Sequence, residues 1–411
     1  MNIVTSTEEM TEEPRGNITG VVAEDDEPPS HTQVTRRFFT LVSDEDWSDW
    51  RWQFRNRITS IEELGRYLLL SDKQQAQLRL VSLKYPLAIT PYYLSLIDPA
   101  DPADPVRAQA VPVVDELAMA GEGFEDPLAE QEHSVVPGLI HRYPDRVLMV
   151  LTNICPMLCR HCTRKREWRT GAWMRSSTEI KTMLDYIRRH PEVRDVVISG
   201  GDPLAISTDR LEVILAGLRK IKHVEIIRIG TRCPVVLPQR IDDELCNMLG
   251  KYGPIWLNTH FNHPREITPE AVYACDKLLR SGVPVNNQAV LLKGVNDRLD
   301  IQRALCQGLL CAKVRPYYLF QCDSTHGTEH FWTSVEQGVK IIDGLRGFTS
   351  GLAVPTYVID LPHGGGKIAV GPNYIMAREG DGFMVRNYQG HLSHYKDPES
   401  APTMCEEHVL A

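Results

Sequence analysis

Cys155, Cys159 and Cys162 fall within eight residues, in Cys155-Pro156-Met157-Leu158-Cys159-Arg160-His161-Cys162. This C-x3-C-x2-C spacing lets one loop turn three thiolates toward a common centre and supplies no fourth. Cysteine thiolates hold iron–sulfur clusters, and three of them on a four-iron cluster leave one iron open. An open iron can chelate the amino and carboxylate groups of S-adenosylmethionine and pass it an electron, a route to carbon-radical chemistry. A structural zinc competes with this reading, but such sites close four ligands. His161, between two of the cysteines, would struggle to reach the same ion. Three buried, metal-free thiols are the third reading.

Two further stretches carry candidate chemistry. Ser199-Gly200-Gly201-Asp202-Pro203 combines two glycines, which let a ligand approach the backbone, with an acid that can accept from an ammonium group. His363-Gly364-Gly365-Gly366-Lys367 places a lysine on a glycine tether. A Walker A loop needs glycine where Leu361 stands and Ser or Thr where Ile368 stands, so a phosphate loop is excluded. A lysine in a partly dry site can lose its proton and form an imine with an aldehyde; an exposed loop lysine is the plain alternative.

The elements that must position these residues are legible from residue 147 onward. Strand-like apolar runs recur at 147–151, 196–199, 225–230, 255–260, 284–292, 315–321 and 355–361. Amphipathic helical stretches lie between them at 178–189, 209–220, 242–249, 269–279, 299–310 and 335–345. This alternation predicts βα units on a parallel sheet, and six or seven units fit a partial or full barrel. Barrel enzymes build their sites at strand C-terminal ends, where Arg232, His260 and the Asn287-Gln288 pair fall here. Ahead of the barrel, 36–134 reads as short helices, with Pro99 to Pro105 as a stiff turn-rich connector and Glu122 to Glu132 as an acidic one. Residues 1–35 are polar and acidic and predict a disordered leader.

Composition narrows the class. The chain has 411 residues, 42% of them apolar and 24% charged, with a net charge of −9. Without a long basic block, nucleic acid and anionic membranes are disfavoured as partners. No run of 18 apolar residues and no signal pattern is present, so a cytoplasmic location is expected. The other seven of the ten cysteines are scattered through apolar segments, as buried free thiols in a reducing compartment would be.

The cysteine motif just after a strand, with the Gly-Gly-acid step, resembles the radical S-adenosylmethionine enzymes. From about Leu41 to Tyr395 the chain resembles the lysine 2,3-aminomutase family within them. The segments that carry this are Asp46-Trp47-Ser48-Asp49-Trp50-Arg51-Trp52-Gln53, Thr90 to Pro99, His141-Arg142-Tyr143-Pro144-Asp145-Arg146, Leu257 to Pro264 and Gly364-Gly365-Gly366-Lys367. The resemblance implies an α/β fold: an incomplete βα barrel of the radical S-adenosylmethionine type over 135–368, containing the pyridoxal phosphate site. A helical N-terminal extension (36–134) and a short C-terminal segment (369–411) flank it. Homodimers or homotetramers, and an electron donor such as a flavodoxin or ferredoxin, are implied as well.

The resemblance also implies residue roles. Cys155, Cys159 and Cys162 would ligate a [4Fe-4S] cluster with S-adenosylmethionine on the open iron, and Gly200, Gly201, Asp202 and His260 would face that cofactor. Lys367 would hold pyridoxal 5′-phosphate as an imine and release it to the substrate amine. Arg142, Arg146, Asn287 and Gln288 would seat its phosphate or the adenosyl group, and Tyr143 would lie by its ring. Arg164 would pair with the substrate carboxylate, and Asp323 and Asp360 would receive a side-chain ammonium. The reaction implied is conversion of free L-lysine to L-β-lysine, an isomerisation begun by a 5′-deoxyadenosyl radical. Arginine as substrate, a lysine borne by another protein, and a non-catalytic metal-binding protein are the rival readings. One departure stands out: the family's structural zinc uses a cysteine after Gly294-Val295-Asn296-Asp297, where Arg298 stands, and a C-terminal cysteine cluster, of which only Cys405 is present. No structural zinc is expected.

Overall fold

The computed structural model describes residues 36–118 and 122–398. The leader and the tail around Cys405 lie outside the described residues. Ten strands form one sheet in strict chain order: β1 (Ser134–Val136), β2 (Leu139–Tyr143), β3 (Arg146–Val150), β4 (Asp195–Ser199), β5 (Ile226–Gly230), β6 (Ile255–Thr259), β7 (Val285–Leu291), β8 (Arg315–Gln321), β9 (Thr356–Leu361) and β10 (Gly366–Ala369). Strands β3 to β9 are parallel, while β1, β2 and β10 add antiparallel edges. Edge strands β1 and β10 do not pair with each other, so the barrel stays open.

Strand alternation divides the residues between two environments. Val147, Met149, Val196, Ile198, Ile227, Ile229, Ile255 and Leu257 are buried beneath the helices. Their neighbours Leu148, Val197, Arg228 and Asn258 face the barrel interior and line its cavity. The covering helices run Ser177–Arg189, Thr208–Arg219, Asp243–Lys251, Pro269–Arg280, Leu299–Cys311 and Val335–Leu345, within three residues of the stretches read from periodicity. Several start at side-chain caps: Ser176 with Glu179 closes a capping box, and Asp242 and Thr268 each accept an N–H from the first turn.

Periodicity does not reveal two features, and one expectation needs correcting. Ahead of β3, β2 pairs with it, with Tyr143 opposite Arg146. The proline-rich connector is turn-rich as expected and leads into a helix, Pro105–Ala110, because Asp104 caps it and a proline at the first helical position forfeits no hydrogen bond. Lys367 is not on a free tether. The glycines make a tight turn, with Gly364 and Gly366 at φ +73° and +87°, and Lys367 lies on β10 directly opposite Asp360 of β9.

The N-terminal helices clamp the cysteine loop. Ala88 O accepts from Leu158 N at 3.0 Å, Gln109 O from Arg160 N at 2.9 Å, and Arg57 donates to Cys155 O. Arg160 is fully buried and pairs with buried Glu116 on Asp115–Ala118, which also receives the Lys165 ammonium at 2.8 Å. A separate three-stranded sheet, β11 (Ile375–Glu379), β12 (Gly382–Arg386) and β13 (Leu392–Lys396), follows the barrel. Tyr374 and Arg386 tie it to Asp343. Cys233, Cys246, Cys275, Cys306 and Cys322 are buried free thiols, whereas Cys311 is exposed.

Candidate active site

One cavity of about 550 Å³ opens at the C-terminal ends of the strands and extends into the barrel. Cys155, Cys159, Cys162, Arg164, Asp323, Asp360 and Lys367 all line it, as do Arg142, Tyr143, Arg146, Gly200, Gly201, Asp202, His260 and Gln288. Residues more than 200 positions apart in sequence thus share one space of the size small-molecule sites have.

At one end stands Arg164. Its Nε and Nη2 donate side-on to Glu130, at 2.9 and 3.1 Å from Nε and 2.6 Å from Nη2, while Nη1 donates to Gly200 O at 2.9 Å. A guanidinium has five N–H groups; three are engaged, and the two left are enough for one further carboxylate. Burial alone would raise the Glu130 carboxyl, but Arg164 and Arg166 pull it down to about 2. Glu130 belongs to the acidic stretch read as a connector. That stretch is pinned over the site, since Arg166 also pairs with Asp126 and Arg169 with Glu125.

At the other end Asp360, its side chain 3% exposed, accepts from Lys367 Nζ at 3.0 Å and Arg142 Nη2 at 3.4 Å. Asp323 faces the same space. Burial and the neighbouring Asp360 push its carboxyl up to about 7, against Lys367 and Arg142. Tyr143 joins the edges: its hydroxyl accepts from Arg142 Nη2 at 3.1 Å and from Lys367 N at 3.0 Å. Arg146 lies over its ring at 4.5 Å from the centroid.

Sequence comparison completes this picture. Residues 149–303 match the radical SAM superfamily, and residues 342–410 match a family described as lysine-2,3-aminomutase. The L-lysine 2,3-aminomutase of Clostridium subterminale is 53% identical over 367 residues, which is 89% of this chain and 88% of that protein. The chain belongs to the lysine 2,3-aminomutase family. The L-lysine 2,3-aminomutase of Fusobacterium nucleatum is 50% identical over 89% of this chain and 86% of its own length. The glutamate 2,3-aminomutase of Clostridioides difficile is 44% identical over 86% and 84%. As a member of this family the aminomutase is an isomerase that uses a [4Fe-4S] cluster, S-adenosylmethionine and pyridoxal phosphate.

The residues fit those groups. Among the described residues no three or more His, Cys, Asp or Glu side chains gather closely enough for a single metal ion. A cubane, whose irons each take one thiolate, needs no such convergence. Burial and mutual repulsion push the Cys155 thiol well up and the Cys162 thiol up to about 11. Binding a cationic cluster core is what would draw the protons off the Cys155 and Cys162 thiols. Lys367, Tyr143, Arg142 and Arg146 offer an amine, a ring and two guanidiniums for an aromatic aldehyde phosphate.

One cofactor contact of the aminomutase differs from expectation, and three others also have work within the protein. Asn287 does not reach the cavity: its amide exchanges hydrogen bonds with Phe261 N and O at 2.7 and 3.0 Å. Gln288 lines the cavity, whereas its strand neighbour Asn287 turns to the other face of β7. Asp202 is already engaged by Leu204 N, the Thr231 hydroxyl and Arg232 N at 3.0, 2.7 and 2.8 Å. It fastens the end of β4 to that of β5. The two glycines serve the protein itself, because a Cβ on Gly200 or Gly201 would collide with the backbone of Thr152 or of Asn153 and Ile154. His260 does line the cavity, and its burial beside Arg232 lowers the imidazole to about 4, so it stays neutral. At the position of the family's zinc-binding cysteine, Arg298 pairs with Asp300 at 2.7 Å.

Proposed function

We propose that the enzyme converts free L-lysine to L-β-lysine by moving the 2-amino group to C3. The observation that carries this reading is the acidic end of the cavity, where Asp360 already accepts a lysine ammonium, that of Lys367, at 3.0 Å. A substrate lysine can place its side-chain ammonium between Asp360 and Asp323 once the Lys367 amine is engaged elsewhere. Its α-carboxylate then meets the two open N–H groups of Arg164. Opposite charges at the two ends select a zwitterion with a distal cation. A glutamate side chain would add a third carboxylate beside two acids.

When bound, the cluster and S-adenosylmethionine supply the carbon radical that takes hydrogen from C3, and pyridoxal phosphate supplies the ring across which nitrogen migrates. The chain's own part is to hold and exclude. Arg164 and the two acids fix both ends of the substrate, so C3 is presented in one place. The acidic stretch pinned by Arg164, Arg166 and Arg169 would shield this part of the cavity from water. Arg142 and Arg146 would hold the phosphate of the bound cofactor, and Lys367 would offer its amine to the aldehyde. A small flavodoxin- or ferredoxin-like donor supplies the electron. The enzyme works as a homo-oligomer in the cytoplasm; among the described residues no helix is long and apolar enough to cross a membrane.

The test is product analysis of the anaerobically reconstituted protein with lysine, arginine and glutamate supplied singly. β-Lysine is the expected product. β-Arginine formed with greater kcat/KM would overturn the choice of substrate, and so would activity confined to lysine within a protein.

A further inference from the structure

The Arg232 guanidinium is buried at the end of β5, and its Nη1 lies 2.9 Å from Cys159 Sγ. Its other donors are committed to the protein. Nε donates to His260 O at 3.1 Å, and Nη2 to Gln109 Oε1 at 2.5 Å and Glu266 Oε1 at 2.7 Å. Four of its five N–H groups are therefore used, and unlike Arg164 it has no open fork for a carboxylate. Glu266 is held as firmly: Tyr93 Oη donates to one oxygen at 2.7 Å, and the N–H groups of Asn262 and His263 to the other at 2.7 and 2.9 Å. Gln109, Glu266 and Tyr93 are buried, while His260 and Cys159 are half-buried at the cavity wall. These contacts hold the guanidinium against Cys159.

We propose that Arg232 raises the reduction potential of the iron–sulfur cluster by donating a hydrogen bond to the Cys159 thiolate. Reduction adds one electron, and its negative charge is shared by the irons and their sulfur ligands. A donor fixed on one of those sulfurs stabilises the reduced form more than the oxidised one, and hydrogen bonds to sulfur are among the determinants of cluster potential. Glu266 offsets the net charge of the guanidinium at longer range, which leaves the directed N–H···S contact as the local contribution. That contact acts in a dry setting, where such bonds are strong. Arg232 is thus a positioning and tuning residue for electron entry. The inference rests on the cluster and is independent of which amino acid is the substrate.

The test is an anaerobic redox titration of the reconstituted full-length protein without S-adenosylmethionine, followed by the electron paramagnetic resonance of the reduced cluster. Two variants are compared: Arg232→Lys, which keeps the charge but not the geometry, and the neutral pair Arg232→Met with Glu266→Gln, which leaves no unpaired buried charge. At a fixed poise the expected change is an about tenfold lower reduced-to-oxidised ratio in the double variant, equivalent to ~59 mV for one electron, with a smaller shift in Arg232→Lys. A wild-type potential in either variant at full iron content overturns the proposal. A second measurement uses arginine labelled with 15N at its guanidinium only, so that the Arg164 backbone N–H on Cys162 Sγ stays silent: the reduced wild-type cluster should show spin-echo modulation that Arg232→Lys loses. Absence of that modulation also overturns the proposal. Failure here would leave lysine turnover, and so the proposed function, untouched.

Discussion

Two carboxyl groups line the same cavity, and the protein drives them in opposite directions. Glu130 has two guanidiniums on it and is held at about 2; Asp323 is pushed up to about 7. Among the described residues no cation lies within ion-pair distance of Asp323, while its neighbour Asp360 shares a lysine and an arginine. Burial opposes ionisation at both sites, so the difference comes from partners. Glu130 is a finished ion pair whose work is to aim Arg164. Asp323 is an unfinished one, and the missing half is a cation of substrate size. The contrast separates residues that build the site from residues that wait for the ligand.

Breaking the unfinished end should cost most in turnover. Asp360→Asn removes the acid that Lys367 and Arg142 share, and truncating one partner of a buried charge pair costs about 2–5 kcal/mol. Taking ~4 kcal/mol, kcat/KM for lysine should fall about a thousandfold. Asp323→Asn should impair turnover less but raise the melting temperature of the ligand-free protein, because it deletes a buried carboxyl that Asp360 repels and that has no ion-pair partner among the described residues. A variant Asp323→Asn that both melts lower and turns over normally would show that the acid is structural.

The finished end should behave in the reverse way. Glu130→Gln leaves Arg164 and Arg166 without a buried counter-charge, so folding stability should drop by about 3 kcal/mol. Arg164 would also lose its fixed aim. We expect kcat/KM to fall about 30-fold (~2 kcal/mol), chiefly through KM, since carboxylate binding is shared by ground and transition states. Steady-state kinetics beside thermal denaturation decides it. A change in kcat alone would mean that Glu130 acts on the reacting atoms instead of through Arg164.

Much of this site was legible in the sequence, and what escaped is instructive. The cysteine loop and Lys367 declare themselves because spacing and local glycines carry the information, and the barrel strands because period-two burial does. Glu130 did not. It sits in an acidic stretch that composition reads as a connector, and its meaning depends on Arg164 and Arg166 folding back over it. Glu116 is hidden in the same way, on a four-residue helix. The strand period itself held one unused signal: it puts Asn287 and Gln288 on opposite faces of β7, and the structure sends Asn287 to the Phe261 backbone.

The gentlest probe of the contrast is pH. Asp323 has a folded-state pKa of about 7 against an ordinary 3.8, so the folded protein retains a proton that the unfolded chain releases. Its contribution to stability is complete below 3.8 and is lost as pH rises through 7. Glu130, held at about 2 against an ordinary 4.5, contributes in the opposite sense: fully above 4.5, and progressively less as pH falls toward 2. A substrate ammonium stays charged across this whole range. Lysine should therefore bind more tightly as Asp323 ionises, by at most about tenfold per pH unit below 7, with a plateau above. The lysine-induced rise in melting temperature, followed from pH 5.5 to 8.5, reads this directly. Asp323→Asn should flatten the profile, and Glu130→Gln, which removes the weakest of the charges that raise Asp323, should lower its midpoint far less than Asp360→Asn does. A midpoint that moves as far with Glu130 as with Asp360 would make the carboxyl groups one coupled unit, and the distinction between aiming and waiting residues would fail.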